Sequence, residues 1–216
     1  MADVIAIAQQ KGGAGKTMLV AQLAVCCAAT RRVAALDIDP QATLSAWGRL
    51  RADNRRAAAP VTVEQVAGWR LGGTLDALRK SHDLLLIDTP PVLDSDARRA
   101  IRGADLVVVP LNPAPPDLWA AEGTLKLAAE ERRPVLLVFN RAAAASRLRR
   151  RLEAEIAARG LDLAAAALGN RAAYATSFAD GLGVAETAPA SQAGQEIAAL
   201  AAALMQPPGV AAGAAD

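Results

Sequence analysis

Gln10-Lys11-Gly12-Gly13-Ala14-Gly15-Lys16-Thr17 stands between a short apolar run, Val4 to Ala8, and a long segment rich in alanine and leucine. That order predicts a buried strand, a glycine-rich turn and a helix, the layout that cradles phosphate groups. Glycines let successive backbone N–H groups, here from Gly12 through Ala14 and Gly15 to Met18, converge on an anion without Cβ interference. The helix opening at Lys16 adds its partial positive end. Lys16 offers a mobile charge to β- and γ-phosphates, and the Thr17 hydroxyl is a hard oxygen ligand for Mg²⁺. The common pattern G-x-x-x-x-G-K-[ST] fails at its first glycine, where Gln10 stands, and a second lysine, Lys11, precedes the glycines.

Outward from this loop, apolar runs recur at Val33 to Ile38, Leu84 to Ile87, Leu106 to Val109 and Val135 to Phe139, with a weaker one at Thr62 to Val66. Each is short and bounded by polar or breaking residues, as fully buried parallel strands are. Helical segments separate them: Lys16 to Ala29, Thr43 to Arg51, Leu71 to Arg79, Asp94 to Ile101, Asp117 to Glu131 and Ser146 to Arg159. The alternation predicts an α/β fold, a doubly wound, mostly parallel sheet with helices on both faces. One domain is expected over residues 1–205, followed by a short disordered tail at 206–216 that begins Gln206-Pro207-Pro208. In such sheets ligands sit beyond the carboxyl ends of the strands, and every candidate residue falls at such an end.

Two of those ends carry carboxylates. Leu84 to Ile87 runs into Asp88, the pattern of a Walker B strand whose acid holds Mg²⁺ through water, although a strand-ending aspartate also serves as a turn or helix cap. The second strand ends in Asp37-Ile38-Asp39-Pro40-Gln41, where Asp39 before Pro40 equally suits a helix start.

The series K-G-G-x-G-K-[ST], Asp37-x-Asp39-Pro40-Gln41 and Asp88 resembles the deviant Walker A ATPases of the ParA/MinD family. The likeness is greatest to compact partition ATPases that lack an N-terminal DNA-binding extension. It extends through Thr43-Leu44-Ser45-Ala46-Trp47 and the proline-rich Pro110-Leu111-Asn112-Pro113-Ala114-Pro115-Pro116-Asp117, whose prolines also suit a plain strand end and helix entrance. The resemblance implies a P-loop NTPase that hydrolyses ATP with Mg²⁺, slowly unless a ParB-like or cargo adaptor protein stimulates it. It implies an ATP-bound sandwich homodimer in which Lys11 reaches the partner's phosphates, while Lys16 and Asp39 serve the reaction and Asp39 orients the water. Asn140 and Arg141 fall where the family meets adenine, though an asparagine there is commonly a turn residue. Met18 stands where many relatives carry a second threonine, leaving only its backbone N–H for the α-phosphate.

Arg147, Arg150 and Arg151 fall on one face of a helix, a pattern that suits non-specific DNA binding or a solvated face paired with Glu153 and Glu155. Arg171 resembles a basic position on the family's nucleoid-binding surface. The implied task is partitioning or positioning a cargo, whether plasmid, chromosome locus or protein cluster. A MinD-like division-site regulator and a metabolic P-loop enzyme of the dethiobiotin synthetase type are the alternatives.

Composition bounds these readings. With 216 residues, 53% of them hydrophobic, the chain can bury one sizeable core. Net charge is only +2, and lysine occurs solely at Lys11, Lys16, Lys80 and Lys126. Cys26 and Cys27 point about 100° apart on a helix, which suits core packing in a reducing compartment better than ligation of an iron–sulfur cluster. The amino terminus lacks a basic, apolar leader, and no run reaches the roughly 18 uncharged apolar residues of a membrane span. The tail lacks basic and aromatic residues, so no membrane partner is expected and the location reads as cytoplasmic and nucleoid-associated.

Overall fold

The computed structural model describes residues 2–143 and 146–205, so the expected tail at 206–216 lies outside the described residues. Six strands form one parallel sheet in the order β3-β2-β4-β1-β5-β6. They are β1 (Asp3–Ile7), β2 (Val33–Asp37), β3 (Val61–Gln65), β4 (Leu84–Asp88), β5 (Leu106–Leu111) and β6 (Val135–Phe139). The helices are α1 (Lys16–Cys27), α2 (Thr43–Asp53), α3 (Leu71–Leu78), α4 (Ser95–Gly103), α5 (Pro115–Glu130), α6 (Arg147–Ala158), α7 (Ala172–Ala179), α8 (Val184–Thr187) and α9 (Gln192–Leu204). The expected α/β architecture is present, and the runs without polar alternation are the central strands, because both faces of the sheet are covered.

One face packs Ile5, Ile7, Val33, Leu84 and Leu86 beneath α1, α2 and α7 to α9. The other sets Val107 and Val109 against α5 and α6, and Val4, Ala6, Leu36, Leu85 and Ile87 against α3 and α4. No helix is expected beyond Arg159 from the sequence, because the alanine-rich stretch that follows has little contrast between its faces. Tertiary contacts supply what periodicity lacks. Buried Gln22 of α1 donates from Nε2 to Ser177 Oγ in α7 and accepts from Val184 N–H at the start of α8.

Strand β5 also runs further than expected, through Pro110 to Leu111. Proline is tolerated because Val108 already takes the bond from Ala8 N–H and pairing with β1 ends there, so the position two residues on needs no donor on that side.

Arg51 of α2 is the main buried ion of the first face. Its guanidinium donates to both carboxylate oxygens of Glu186, at 2.7 and 3.0 Å, and to the carbonyls of Ala59 and Gly181. It also lies 5.5 Å over the Trp47 ring, which stacks on Phe178. Glu186 accepts from the backbone N–H groups of Ala58, Ala59 and Gly183 as well. Burial alone would raise its pKa, but Arg51 and these amides reverse the balance and hold it below the ordinary glutamate range.

Removing one partner leaves the other buried and unpaired. Glu186→Ala should therefore cost about 3 kcal/mol in urea unfolding, with Arg51→Met/Glu186→Leu recovering much of the loss. Because the folded-state pKa is depressed, the stabilisation is fully present above the ordinary glutamate pKa and is lost as pH falls below it through the lower folded-state value. A single-variant loss below about 1 kcal/mol at neutral pH would show that the pair does not hold α2 to α8.

Candidate nucleotide-binding site

Parallel pairing sets the level of every functional residue. Ile7 pairs with Asp88, and Asp88 pairs with Asp37, so the ends of β1, β4 and β2 lie side by side. From Ile7 the chain enters the loop Gln9 to Gly15. Gly13 and Gly15 adopt φ of 77° and 88°, left-handed values that glycine accepts without strain. A Cβ built at Gly12 or Gly13 would meet nothing within 4 Å, so the loop backbone there faces open space that an anion could approach. At Gly15 the opposite holds, because a Cβ would run into the side-chain amide of Asn140.

That asparagine, at the end of β6, is fully buried. Its Nδ2 donates to the Ala14 carbonyl at 2.8 Å, and its Oδ1 accepts from Arg141 N–H. Its amide thus braces the phosphate loop from the far strand. Arg141 is exposed, with a left-handed φ of 51°. Met18 turns its side chain into the core beside Gly15, which explains why a threonine hydroxyl is dispensable to the fold here.

Lys16 folds back so that Nζ donates to the Gln9 carbonyl at 3.2 Å. Burial lowers its pKa, against the opposing pull of Asp88 and Asp39. Asp88 has no exposed surface, and neither carboxylate oxygen receives a hydrogen bond of ordinary geometry. Burial pushes its pKa up to about 7; the nearby Thr17 hydroxyl and Lys16 favour the charged form, and Asp37 and Asp39 oppose it. Two hard oxygens, Thr17 Oγ1 and an unpartnered buried carboxylate, fit Mg²⁺. Among the described residues no three acidic, histidine or cysteine side chains converge, so a cation here would take its remaining ligands from phosphate and water.

Asp37 plays a supporting part that can be stated in bonds. Its carboxylate accepts from Asp39 N–H, from Ser45 N–H at 2.7 Å and from the Ser45 hydroxyl. Helix α2 begins behind Ala42, which has no capping side chain, and Asp37 provides the cap from the strand end instead. Asp39 is half-buried and accepts from Gln41 N–H, which leaves its second oxygen available at the mouth of the cradle.

Lys11 pairs within its own chain, Nζ to Asp117 Oδ2 at 2.7 Å. Asp117 lies in the first turn of α5 and is buried, and its other oxygen accepts from the backbone and side-chain N–H groups of Asn112. Pro115 and Pro116 open that helix. The proline-rich segment is legible in the sequence, but this ion pair is not, because 106 residues separate its partners. Ser45 was likewise visible only as part of a motif.

On α6, Arg147, Arg150 and Arg151 are exposed and form no ion pair among the described residues, whereas Arg149 pairs with Glu153. Arg171 is far from free: Glu196 takes its Nε and Nη2, and also accepts from Gly169 N–H and the Tyr174 hydroxyl. Cys27 is buried and Cys26 half-buried, and burial pushes the Cys27 thiol up to about 12, so neither is poised as a thiolate ligand. Among the described residues no helix is long and apolar enough to cross a membrane.

Residues 5–184 match the CobQ/CobB/MinD/ParA nucleotide binding domain. The chain belongs to that family. Within the ParA/MinD family it is 41% identical over 118 residues to the maintenance of carboxysome distribution protein A of Gloeobacter kilaueensis, a match that covers 53% of this chain and only 51% of that relative. The protein of the same description from Halothiobacillus neapolitanus is 28% identical over 193 residues, covering 85% of this chain and 87% of that one. The septum site-determining protein MinD of Pyrococcus horikoshii OT3, solved with Mg-ADP, superimposes with a TM-score of 0.77 at 20% identity over 95% of this chain and 97% of that chain, which establishes the shared P-loop fold.

The unpartnered carboxylate makes a test that separates stability from binding. A folded-state pKa raised to about 7 means that ionising Asp88 destabilises the nucleotide-free protein progressively as pH rises from the ordinary aspartate range toward 7. Asp88→Asn should raise the nucleotide-free melting temperature at pH 8 by several degrees and abolish the further gain from Mg²⁺ with nucleotide. If the variant melts lower than the wild type, or keeps that gain, Asp88 is not the metal-facing carboxylate. Gly15→Ala should eliminate nucleotide binding, since it adds both a strained φ and a collision with Asn140.

Proposed function

We propose that the protein is a ParA-type ATPase that binds ATP with Mg²⁺, dimerises on binding and positions a cargo inside the cell. The observation that carries this reading is the second lysine. Lys11 stands directly before the glycines with 39% of its side chain exposed, and it is not folded back onto its own loop as Lys16 is. A cation so placed serves a neighbouring subunit's triphosphate, and it must leave Asp117 to do so. Delivering it into a site shielded from water would offset the charge that develops as the γ-phosphoryl departs.

In this reading the amides of Gly12 to Met18 wrap the phosphates, and Lys16 bridges the outer ones. Thr17 and Asp88 hold Mg²⁺, whose chemistry when bound is to neutralise and align phosphate oxygens. Asp39 orients the attacking water. Asn140, fully buried, holds the loop from behind, which leaves exposed Arg141 rather than Asn140 to border the base. Turnover is slow until an adaptor on the cargo stimulates it. The carboxysome-distribution relatives favour a protein assembly as that cargo.

Non-specific DNA supplies the track. Arg147, Arg150 and Arg151 form a free cationic face, and doubling it in a dimer multiplies phosphate contacts. Arg171 contributes only if Glu196 releases it. The protein would then be cytoplasmic and nucleoid-associated while ATP-bound.

Lys11→Ala should leave nucleotide binding measurable and abolish ATP-dependent dimerisation in sedimentation velocity; an unchanged dimer fraction would refute the cross-subunit role. Asp39→Ala should trap the ATP dimer by slowing turnover about a hundredfold or more, consistent with loss of a general base. Reversing charge at Arg150 and Arg151 should abolish DNA retention in a shift assay while ATP turnover persists, and retained DNA would move the interface elsewhere.

A further inference from the structure

The far edge of the sheet carries features that the nucleotide site does not use. Strand β3 is an edge strand of five residues. It pairs with β2 in parallel register, Asp37 opposite Gln65, and Val66 N–H donates to the Asp37 carbonyl. In that register Thr62, Glu64 and Val66 turn their backbone groups toward β2. The N–H and C=O of Val61, Val63 and Gln65 therefore face outward, and no backbone partner reaches them among the described residues.

Neither neighbouring helix seals this edge. Between α2 and β3 lies an open cavity of ≈ 590 Å³, lined by Arg49, Val61, Val63 and Gln65 among others. On the opposite face, Glu64 borders a second hollow of ≈ 510 Å³ against α3, beside Trp69. Trp69 is 76% exposed, the most exposed of the large apolar side chains, and Arg70 lies 5.8 Å over its ring. Leu50, on the α2 side, is 51% exposed. Edge strands in stable proteins are usually covered, bulged or guarded by an inward charge, and this one ends in open hollows on both faces.

The charge around the edge selects an occupant. Arg49 lines the first hollow and Arg70 the second, while Arg55 and Arg56 follow Asn54 and precede Ala57, both in the lining of the first. All four are exposed and form no ion pair among the described residues, and Glu64, in the second hollow, is the one acid in either lining. Arg98 and Arg102, by contrast, are both paired with Glu131. A second copy docking edge to edge would bring two such arginine groups together, at a cost in like-charge repulsion. An acidic strand would be drawn in.

We propose that β3 is a docking edge for an extended acidic segment of a partner protein. The segment adds a seventh strand on the backbone of Val61, Val63 and Gln65, sends alternate side chains into the two hollows and sets its carboxylates among Arg49, Arg55, Arg56 and Arg70. Main-chain bonds supply affinity and the hollows supply selectivity, as in strand addition generally. The site lies across the sheet from α6, so a partner bound here leaves the cationic face of α6 uncovered. It does not depend on the nucleotide reading.

The full-length protein and a fluorescein-labelled peptide alternating glutamate and valine test this by anisotropy and amide hydrogen exchange. Saturable binding is expected, about tenfold or more weaker for the lysine–valine counterpart, and weakened by salt. The amide of Val63 should exchange markedly more slowly at saturation. Gln65→Pro, which deletes one outward donor on an exposed position, and Arg49→Glu/Arg56→Glu, which leaves the backbone intact, should each lower affinity about tenfold. Equal binding of both peptides, unchanged exchange at Val63, or indifference to both variants would overturn the proposal. So would nucleotide-independent dimerisation blocked by Gln65→Pro, which would assign the edge to a second copy.

Discussion

Burying a carboxylate without a well-formed hydrogen bond is costly. Asp88 is such a group, with no accessible surface and only the nearby Thr17 hydroxyl to favour its charge from the hydrogen-bonding side. Lys16 shares the condition from the other side, its ammonium desolvated and satisfied by one backbone carbonyl. The nucleotide-free molecule thus leaves two poorly solvated groups beside the glycine loop, an arrangement that Mg²⁺ with a triphosphate would satisfy.

Everything around that cradle is held by contacts from distant strands. Asn140 of the β6 end fixes Ala14, Thr89 after β4 donates to the Ile7 carbonyl, and Asp37 pins Asp39 and the start of α2. The loop therefore senses strands from both halves of the sheet. Lys11 is held from α5 by its ion pair with Asp117 and stays partly exposed. A braced loop with one partly exposed cation beside it is the arrangement on which the proposed cross-subunit role of Lys11 rests.

The two sheet edges contrast in the same terms. At the β6 edge the chain after α6 returns alongside, bridging Leu137 to Leu163 and Ala142 to Gly169, so outward backbone groups there find partners. At the β3 edge nothing returns, and the arginines that surround it are unpaired. Charge at the two ends is also handled differently: Arg171 is bound by Glu196, while Arg150 and Arg151 remain in solvent. Equal counts of arginine in a sequence conceal that difference.

Local chemistry was legible in the residues themselves. Glycines at Gly13 and Gly15, lysines on either side of them, apolar runs ending in Asp37 and Asp88, and the alternation of strand and helix required no partner from elsewhere to be read, because backbone conformation and burial of short runs depend on neighbours in sequence. Pairing did not belong to that level. That Lys11 meets Asp117, that Asn140 braces Ala14, that Arg51 is neutralised by Glu186, and that alanine-rich segments after Arg159 fold as α7 to α9 on top of α1 were all decided by the tertiary structure. The reason is distance: each contact joins residues more than 100 positions apart or rests on burial against such a segment, and only the closed parallel register brings those partners to the same level.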